Sequence, residues 1–346
     1  MFKVFYGLPN DIIDRTSGNI GIIDVLQANK VNILTEPSQM KGEKIDIAYI
    51  VYSETLLSQI GEMSIKKISI ISKHNDDIIV PKNFVKYSSD IMETPHGTFY
   101  NIILNHKTYK TEVEIIIHGI DDPHQDVVRN IYALYGNVIT STYNKCIDEA
   151  IKNRVKSCNL PNPSGIYYSV SSMIDGINNC EIKKYIIKVR TDGHVSDLAP
   201  IITLLQTPMS DDKIITINTY VPRVSQLRYS ICDHIIAGKF ENVRTMYVNA
   251  MGILNNRIAE IRKKLKLEYT PEQILVVGYL RDKLNYVGSN KLDIVKQTMI
   301  KYFHIVSIDE LGHYMIPYGN RCLISGKNVD KEMYKKICTV KTIDDI

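Results

Sequence analysis

Tryptophan is absent from this 346-residue chain, and so are the short glycine motifs that identify several enzyme classes. No Gly-x-Gly-x-x-Gly sequence follows a strand pattern and no Gly-x-x-x-x-Gly-Lys sequence occurs, which argues against a nicotinamide or flavin Rossmann enzyme. No Gly-x-Ser-x-Gly sequence or defensible Cys/His pair supports serine or cysteine hydrolase chemistry.

Long apolar runs, cysteine pairs and basic blocks are also missing. The six cysteines form no Cys-x-x-Cys pair, so reduced and mostly buried thiols are expected. No 18-residue apolar window and no signal peptide are visible, so we expect a soluble, cytoplasmic protein without a membrane span. Forty-two basic residues against 38 acidic ones are too balanced to indicate nucleic-acid binding.

The pattern of the chain predicts an α/β-class protein of two domains, a small β-rich one followed by a larger α/β one. Residues 1–110 carry short β-type runs with one candidate helix at 53–60, which predicts a small β-rich accessory domain, and His74 and His96 there are isolated. Residues 111–346 alternate strands and helices, which predicts a mostly parallel sheet with flanking helices. The predicted strands of this second domain are 113–117, 137–142, 185–190, 213–220 and 305–308, and its predicted helices are 126–135, 145–153, 168–177, 198–206, 270–284 and 291–302.

An apolar strand at 184–190 ends abruptly in Arg190, Asp192 and His194. Ligands of open α/β sheets bind outside the carboxyl ends of strands, so Asp192 and His194 are candidate ligands of a divalent metal. Asp-Gly is also a common way to end a strand in a tight turn. Arg190 alternates with Asp192, which predicts either an ion pair between them or a phosphate contact. Lys188 and Arg190 are explained equally well as charges that balance nearby carboxylates.

Five segments in chain order carry a resemblance: 114–119 (EIIIHG), 138–143 (VITSTY), 185–192 (YIIKVRTD), 232–238 (CDHIIAG) and 270–275 (TPEQIL). Together they resemble the WavE family of lipopolysaccharide-synthesis glycosyltransferases, found in bacteria and large DNA viruses. The resemblance implies a GT-A-like nucleotide-diphospho-sugar transferase that uses Mn²⁺ or Mg²⁺, in the host cytoplasm if the protein is viral. The donor would bind at His118, Gly119, Ser141, Thr142, Arg190 and Asp192, and the metal at Asp192 and His194.

Three side chains are candidates for removing the acceptor proton: Asp233, Glu272 and His234. Asp233 lies in an apolar stretch where an unpaired carboxylate would be costly. Thr270 at the N-cap, Pro271 and Gln273 predict a capping box at a helix start. Glu272 lies in this first turn, where an acid is also explained by the helix dipole.

Two other functions remain open at this point. A catalytically inactive glycosyltransferase-like module is favoured by the absence of a second acid at 192–194. A metal-dependent hydrolase would need the clusters at 121–124 and 211–212 to converge. The partners expected of the transferase are a nucleotide-sugar donor and a glycan or other hydroxyl acceptor, and its oligomeric state is open.

Overall fold

The computed structural model has the mixed α/β architecture predicted from the sequence, with two six-stranded mixed sheets flanked by helices. It divides into two compact units, Met1–Thr111 with Pro123–Asn137, and Glu112–Asp122 with Val138–Ile346. The predicted boundary at residue 110 stays a prediction. The structure describes residues 3–8, 31–74, 78–94, 97–108, 111–120, 129, 131–143, 163–195, 197–208, 212–219, 221, 228–256, 270–284, 291–311, 313–315 and 323–325.

The amino-terminal unit is built on one six-stranded sheet. Its described elements are β1 (Lys3–Gly7), β2 (Asn32–Leu34), a 3-10 turn (Pro37–Met40), β3 (Ile45–Val51), α1 (Glu54–Gly61), β4 (Ile65–Ser72), β5 (Phe84–Thr94) and β6 (Gly97–His106). The strand order in the sheet is β2-β1-β3-β4-β6-β5. Strands β1 to β4 are parallel, whereas β6 is antiparallel to both β4 and β5. The unit is rich in strands, as predicted.

The central strand of this unit shows why the sequence folds this way. Strand β3 reads IDIAYIV, and Ile47 to Ile50 are fully buried, as expected for a parallel strand covered on both faces. Helix α1 is capped by Ser53, whose hydroxyl accepts from the Leu56 main-chain amide. Its buried residues Leu57 and Ile60 join the apolar core of the unit.

The second unit also contains a six-stranded sheet. Its strands are β7 (Val113–Ile120), β8 (Asn137–Tyr143), β9 (Tyr185–Arg190), β11 (Ile214–Ile217), β12 (Ile235–Lys239) and β13 (Phe303–Val306), in the order β13-β11-β12-β9-β7-β8. Strand β9 is parallel to β7, and β11 is parallel to β13, but β12 is antiparallel to both of its neighbours. A small sheet joins β10 (His194–Val195), β14 (His313–Met315) and β15 (Leu323–Ser325).

Glycines allow the helices of this unit to pack closely. A Cβ on Gly176 would lie 2.7 Å from Ile116 of β7, and one on Gly278 would lie 2.7 Å from the main-chain oxygen of Met246. The helices are α2 (Pro163–Asn178), α3 (Ala199–Leu205), α4 (Phe240–Asn256), α5 (Pro271–Leu284) and α6 (Leu292–Tyr302). Helix α2 therefore packs directly on β7, and α5 on α4.

Several sequence predictions differ from the structure. The last predicted strand lies at Phe303–Val306 instead of 305–308. Strand β12 and helix α4 were not predicted as elements. The predicted helix at 145–153 and His96 lie outside the described residues. Among the described helices, none is long and apolar enough to cross a membrane.

Candidate functional site

The sheet of the second unit brings the ends of three strands to one edge. His118 of β7 is in register with Arg190 of β9, and Ile235 at the start of β12 is in register with Val189. Because β12 is antiparallel to β9, the residues that precede β12 lie at the carboxyl edge of β7 and β9. Asp233 and His234 therefore meet Arg190 and His118 at this edge.

Asp233 lies between two cations. Its Oδ2 is 3.8 Å from the amine of Lys188, and its Oδ1 is 3.6 Å from Nη1 of Arg190. The Lys188 amine also donates a hydrogen bond to the main-chain oxygen of Asp233. Burial alone would raise the pKa of Asp233, but the charges of Lys188 and Arg190 outweigh it and hold that pKa well below its usual value. Asp233 is therefore a carboxylate at neutral pH.

Arg190 and Asp192 form a two-point ion pair. Nε of Arg190 donates to Oδ1 of Asp192 and Nη2 donates to Oδ2, both at 2.8 Å. The pair confirms that these alternating residues lie on the same side of the strand end. We call Lys188, Arg190, Asp192, Asp233 and His234 the edge cluster.

His234 of the edge cluster and the neighbouring His118 are neutral imidazoles. Burial, followed by the positive charge of Lys188, lowers the pKa of His118 well below its usual value. Nδ1 of His118 lies 3.4 Å from the Ser172 hydroxyl, whereas its buried Nε2 has no hydrogen-bond partner among the described residues. Burial lowers the pKa of His234 to about 4, although the nearby Asp233 opposes the shift. Both imidazole rings are therefore uncharged at pH 7.

Glu272 lies in the first turn of helix α5, close enough to the edge cluster for the charge of Asp233 to shift its pKa. Burial, and next to it the negative charge of Asp233, raise the pKa of the Glu272 carboxyl. The predicted capping box is confirmed. The main-chain amide of Gln273 donates to the Thr270 hydroxyl at 3.3 Å, and the main-chain amide of Thr270 donates to Oε1 of Gln273 at 3.2 Å. This box fixes the first turn that carries Glu272.

The remaining predicted donor residues are Gly119, Ser141 and Thr142. Gly119 has φ +137°, and a Cβ there would lie 2.8 Å from the Thr191 hydroxyl, so glycine is needed at this position. The Ser141 hydroxyl donates to the main-chain oxygen of Ser172 at 2.7 Å, and Thr142 is exposed. Donor binding by all three residues stays a prediction.

The predicted metal site has one candidate ligand among the described side chains. Both oxygens of Asp192 already accept from Arg190, and the side chain of His194 lies outside the described residues. Within the described part of the chain, no three His, Cys, Asp or Glu side chains lie close enough together to hold a metal ion. These side chains do not by themselves form a metal centre, so Mn²⁺ or Mg²⁺ stays a prediction.

Two residues near Asp233 were not predicted as part of the site. Lys188 is fully buried in β9, and a lysine in the middle of an otherwise apolar strand was the available sequence signal. Tyr247 of α4 has a buried hydroxyl without a hydrogen-bond partner among the described residues, and its pKa is raised by burial and by Asp233. Helical periodicity alone assigns such a tyrosine to the core.

Comparison with solved structures finds low similarity. The structure is similar to galactosyltransferase LgtC in complex with donor and acceptor sugar analogues (10% identity, TM-score 0.30, covering 48% of this chain and 69% of that one). It is also similar to mouse xyloside xylosyltransferase 1 in its apo form (10% identity, TM-score 0.31, 57% and 74%). A third is M. capricolum TrmK with S-adenosyl-homocysteine (14% identity, TM-score 0.21, 49% and 85%). Similarity at this level does not indicate a function for the protein.

No protein family matches the sequence, and no curated protein matches it either. Function must therefore be argued from the site itself and from the sequence resemblance.

Proposed function

We propose that the second unit transfers a sugar from a nucleotide-diphosphate donor to a hydroxyl of a glycan or another acceptor. One observation supports this most directly: the segments that resemble the WavE family supply the charged residues of a single sheet edge. Arg190 is the last residue of β9 and Asp192 follows it, Asp233 and His234 precede β12, and the charge of Asp233 raises the pKa of Glu272.

The cations of the edge cluster suit a diphosphate leaving group. Arg190 presents a planar guanidinium at the end of a strand, and guanidinium groups bind phosphate oxygens through two parallel hydrogen bonds. Its side chain is partly exposed, so a ligand can reach it. We propose that Arg190 turns part of its hydrogen bonding from Asp192 to the donor phosphates.

Glu272 is the best-suited proton acceptor of the three candidates. Its pKa is raised, which brings its basicity closer to neutral pH, whereas the pKa of Asp233 is lowered and that of His234 falls to about 4. Glu272 is also only partly buried, so an acceptor hydroxyl can approach it. We assign proton removal to Glu272, and to Asp233 the ordering of the surrounding cations.

The proposed reaction is a single displacement at the anomeric carbon of the donor sugar. The acceptor oxygen forms a bond to the anomeric carbon while its proton passes to the Glu272 carboxylate. The bond between that carbon and the phosphate oxygen breaks, and the nucleoside diphosphate leaves with the electron pair beside Arg190.

A divalent metal is a separate part of the proposal. It would supply positive charge against the diphosphate, and Asp192 is the described residue that would hold it. Such a metal would compete with Arg190 for the same carboxylate. No step above depends on it.

The same Arg190–Asp192 pair favours the alternative of a binding module without turnover, because it neutralises the candidate metal ligand. For the hydrolase alternative, Asp121, Asp122, His124 and Asp211 lie outside the described residues.

A panel of nucleotide sugars distinguishes these functions. We would measure thermal shift, nucleotide release and sugar products with and without Mn²⁺ or Mg²⁺, for the wild type, Arg190→Gln and the exposed control Arg244→Gln. Nucleotide release coupled to a glycosylated product, lost in Arg190→Gln and kept in Arg244→Gln, supports transfer. Release with free sugar indicates hydrolysis, and a thermal shift without release indicates a binding module.

A further inference from the structure

Lys188 is a buried charge in an apolar position. It is 0% exposed, and the residues in register with it on both neighbouring strands, Ile116 and Ile236, are isoleucines. Taking an ammonium out of water is unfavourable unless it is paired and hydrogen-bonded. An isoleucine at this position would suit the strand better, so the packing of the sheet gives no reason for a lysine.

The contacts of Lys188 converge on one residue. Its amine donates to the main-chain oxygen of Asp233 and lies 3.8 Å from the Oδ2 of the same residue. A single side chain therefore restrains both the backbone and the carboxylate of Asp233. A contact that served only the sheet would not need to reach the carboxylate.

Asp233 belongs to a segment without helix or strand, residues 228–234, which leads into β12. Further side chains hold this segment: the Thr216 hydroxyl donates to the main-chain oxygen of Cys232 at 2.5 Å, and Gln273 Nε2 donates to that of Arg228 at 2.7 Å. Gln273 follows Glu272 in α5. The segment is thus tied both to the sheet and to the helix that carries the proposed proton acceptor.

The charges around Lys188 keep its amine positively charged at neutral pH. Burial lowers its pKa to about 8, because the attraction of Asp233 only partly offsets the loss of solvent. The titratable and charged groups that act on it or on Asp233 are Arg190, Asp192, His118, Cys232, His234, Tyr247 and Glu272.

We propose that Lys188 is a positioning residue of the transfer site, which fixes the backbone and the carboxylate of Asp233 so that Asp233 in turn orders Arg190 and the donor phosphates. Lys188 acts through Asp233 and does not touch the substrate. The catalytic part rests on the proposed transferase function, whereas the hold on Asp233 does not.

Replacing Lys188 by Met and by Arg tests this, with Lys184→Met as the control. Lys184 precedes the same strand and pairs with Glu112 at the surface. The first readout is the pH titration of the Asp233 carboxyl by ¹³C NMR, assigned by its loss in Asp233→Asn. We expect the midpoint to rise by about one unit or more in Lys188→Met, and to stay near the wild-type value in Lys188→Arg and Lys184→Met.

The second readout is turnover. Loss of a positioning residue lowers activity by about 10- to 100-fold, and we expect Lys188→Met to show this in kcat with partial rescue in Lys188→Arg. An unchanged Asp233 midpoint or a wild-type kcat in Lys188→Met overturns the proposal. A wild type that transfers no sugar refutes the transferase function instead, and the titration then still decides whether Lys188 holds Asp233.

A variant that is too unstable to titrate is covered by a thermal comparison. Lys188→Met leaves the buried Asp233 short of one partner, and Lys188→Met with Asp233→Asn removes both charges. We expect the double variant to melt at a higher temperature than Lys188→Met. A double variant that melts at the same or a lower temperature overturns the proposed pairing.

Discussion

The guanidinium of Arg190, the last residue of β9, donates to both carboxylate oxygens of Asp192, each at 2.8 Å. The same guanidinium reaches towards Asp233, with Nη1 3.6 Å from its Oδ1. Arg190 is therefore shared between two acids, and any cation or anion that binds at this edge must change its contacts.

Removing Arg190 is expected to strengthen metal binding at Asp192, since the competing cation is gone. Arg190→Gln should bind Mn²⁺ more tightly than the wild type in the absence of donor, and adding Asp192→Asn should abolish the gain. Electron paramagnetic resonance titration of free Mn²⁺ measures both. Equal Mn²⁺ affinity in the wild type and in Arg190→Gln would show that Arg190 does not compete with a metal.

A substitution at Gly119 should destabilise the second unit. Ala at this position would keep φ near +137° and would place a Cβ 2.8 Å from the Thr191 hydroxyl, so we expect a loss of about 1–3 kcal/mol in the free energy of unfolding. Gly252→Ala is the matched control in helix α4, where an added Cβ meets nothing within 4 Å. It should stabilise the protein by about 0.5–1 kcal/mol. Urea unfolding of both variants checks the opposite signs.

The amino-terminal unit depends on a buried lysine. Lys67 is 2% exposed and donates to the main-chain oxygens of Ala133 and Gly136, whereas the adjacent Lys66 pairs with Asp46 and has a side chain that is 56% exposed. Lys67→Met removes the donor from two carbonyls and should cost about 2 kcal/mol or more. Lys66→Met should change stability by about 0.5 kcal/mol or less. Equal melting temperatures for the two variants would refute a role for Lys67.

Protonation of His234 should weaken folding in mild acid. Its pKa is lowered to about 4 in the folded protein from an ordinary value of 6.5, so between these values the unfolded chain binds more protons. The stabilising contribution is present above pH 6.5 and is lost as the pH falls towards 4, by about 3 kcal/mol in total. The difference in unfolding free energy between the wild type and His234→Gln should shrink over this range. A difference that is independent of pH would contradict the shift.

The sequence predicted the elements whose signals are local. The apolar strand at 185–190, its charged end and the capping box at Thr270 and Gln273 are all present, because period, composition and caps determine them. Strand β12 was missed because the apolar stretch before it continues through Asp233 and His234, which hides where the strand begins.

Long-range contacts could not be derived from the sequence. The pairing of Lys188 with Asp233 joins residues 45 positions apart through an antiparallel strand that local patterns do not reveal. The raised pKa of Glu272 likewise depends on burial and on Asp233, neither of which is encoded near the helix start. Candidate residues could be named from the sequence, but the proposed division of roles among them rests on the geometry.

The measurement that tests the central claim most directly is single-turnover transfer by Glu272→Gln, with Glu241→Gln as its control. Glu241 is also a first-turn acid of a helix, but its side chain is 73% exposed. With the sugar nucleotide that the wild type uses, we predict that Glu272→Gln binds donor normally and transfers about 100-fold or more slowly, while Glu241→Gln matches the wild type. Transfer by Glu272→Gln at the wild-type rate would contradict its role as the proton acceptor of this site.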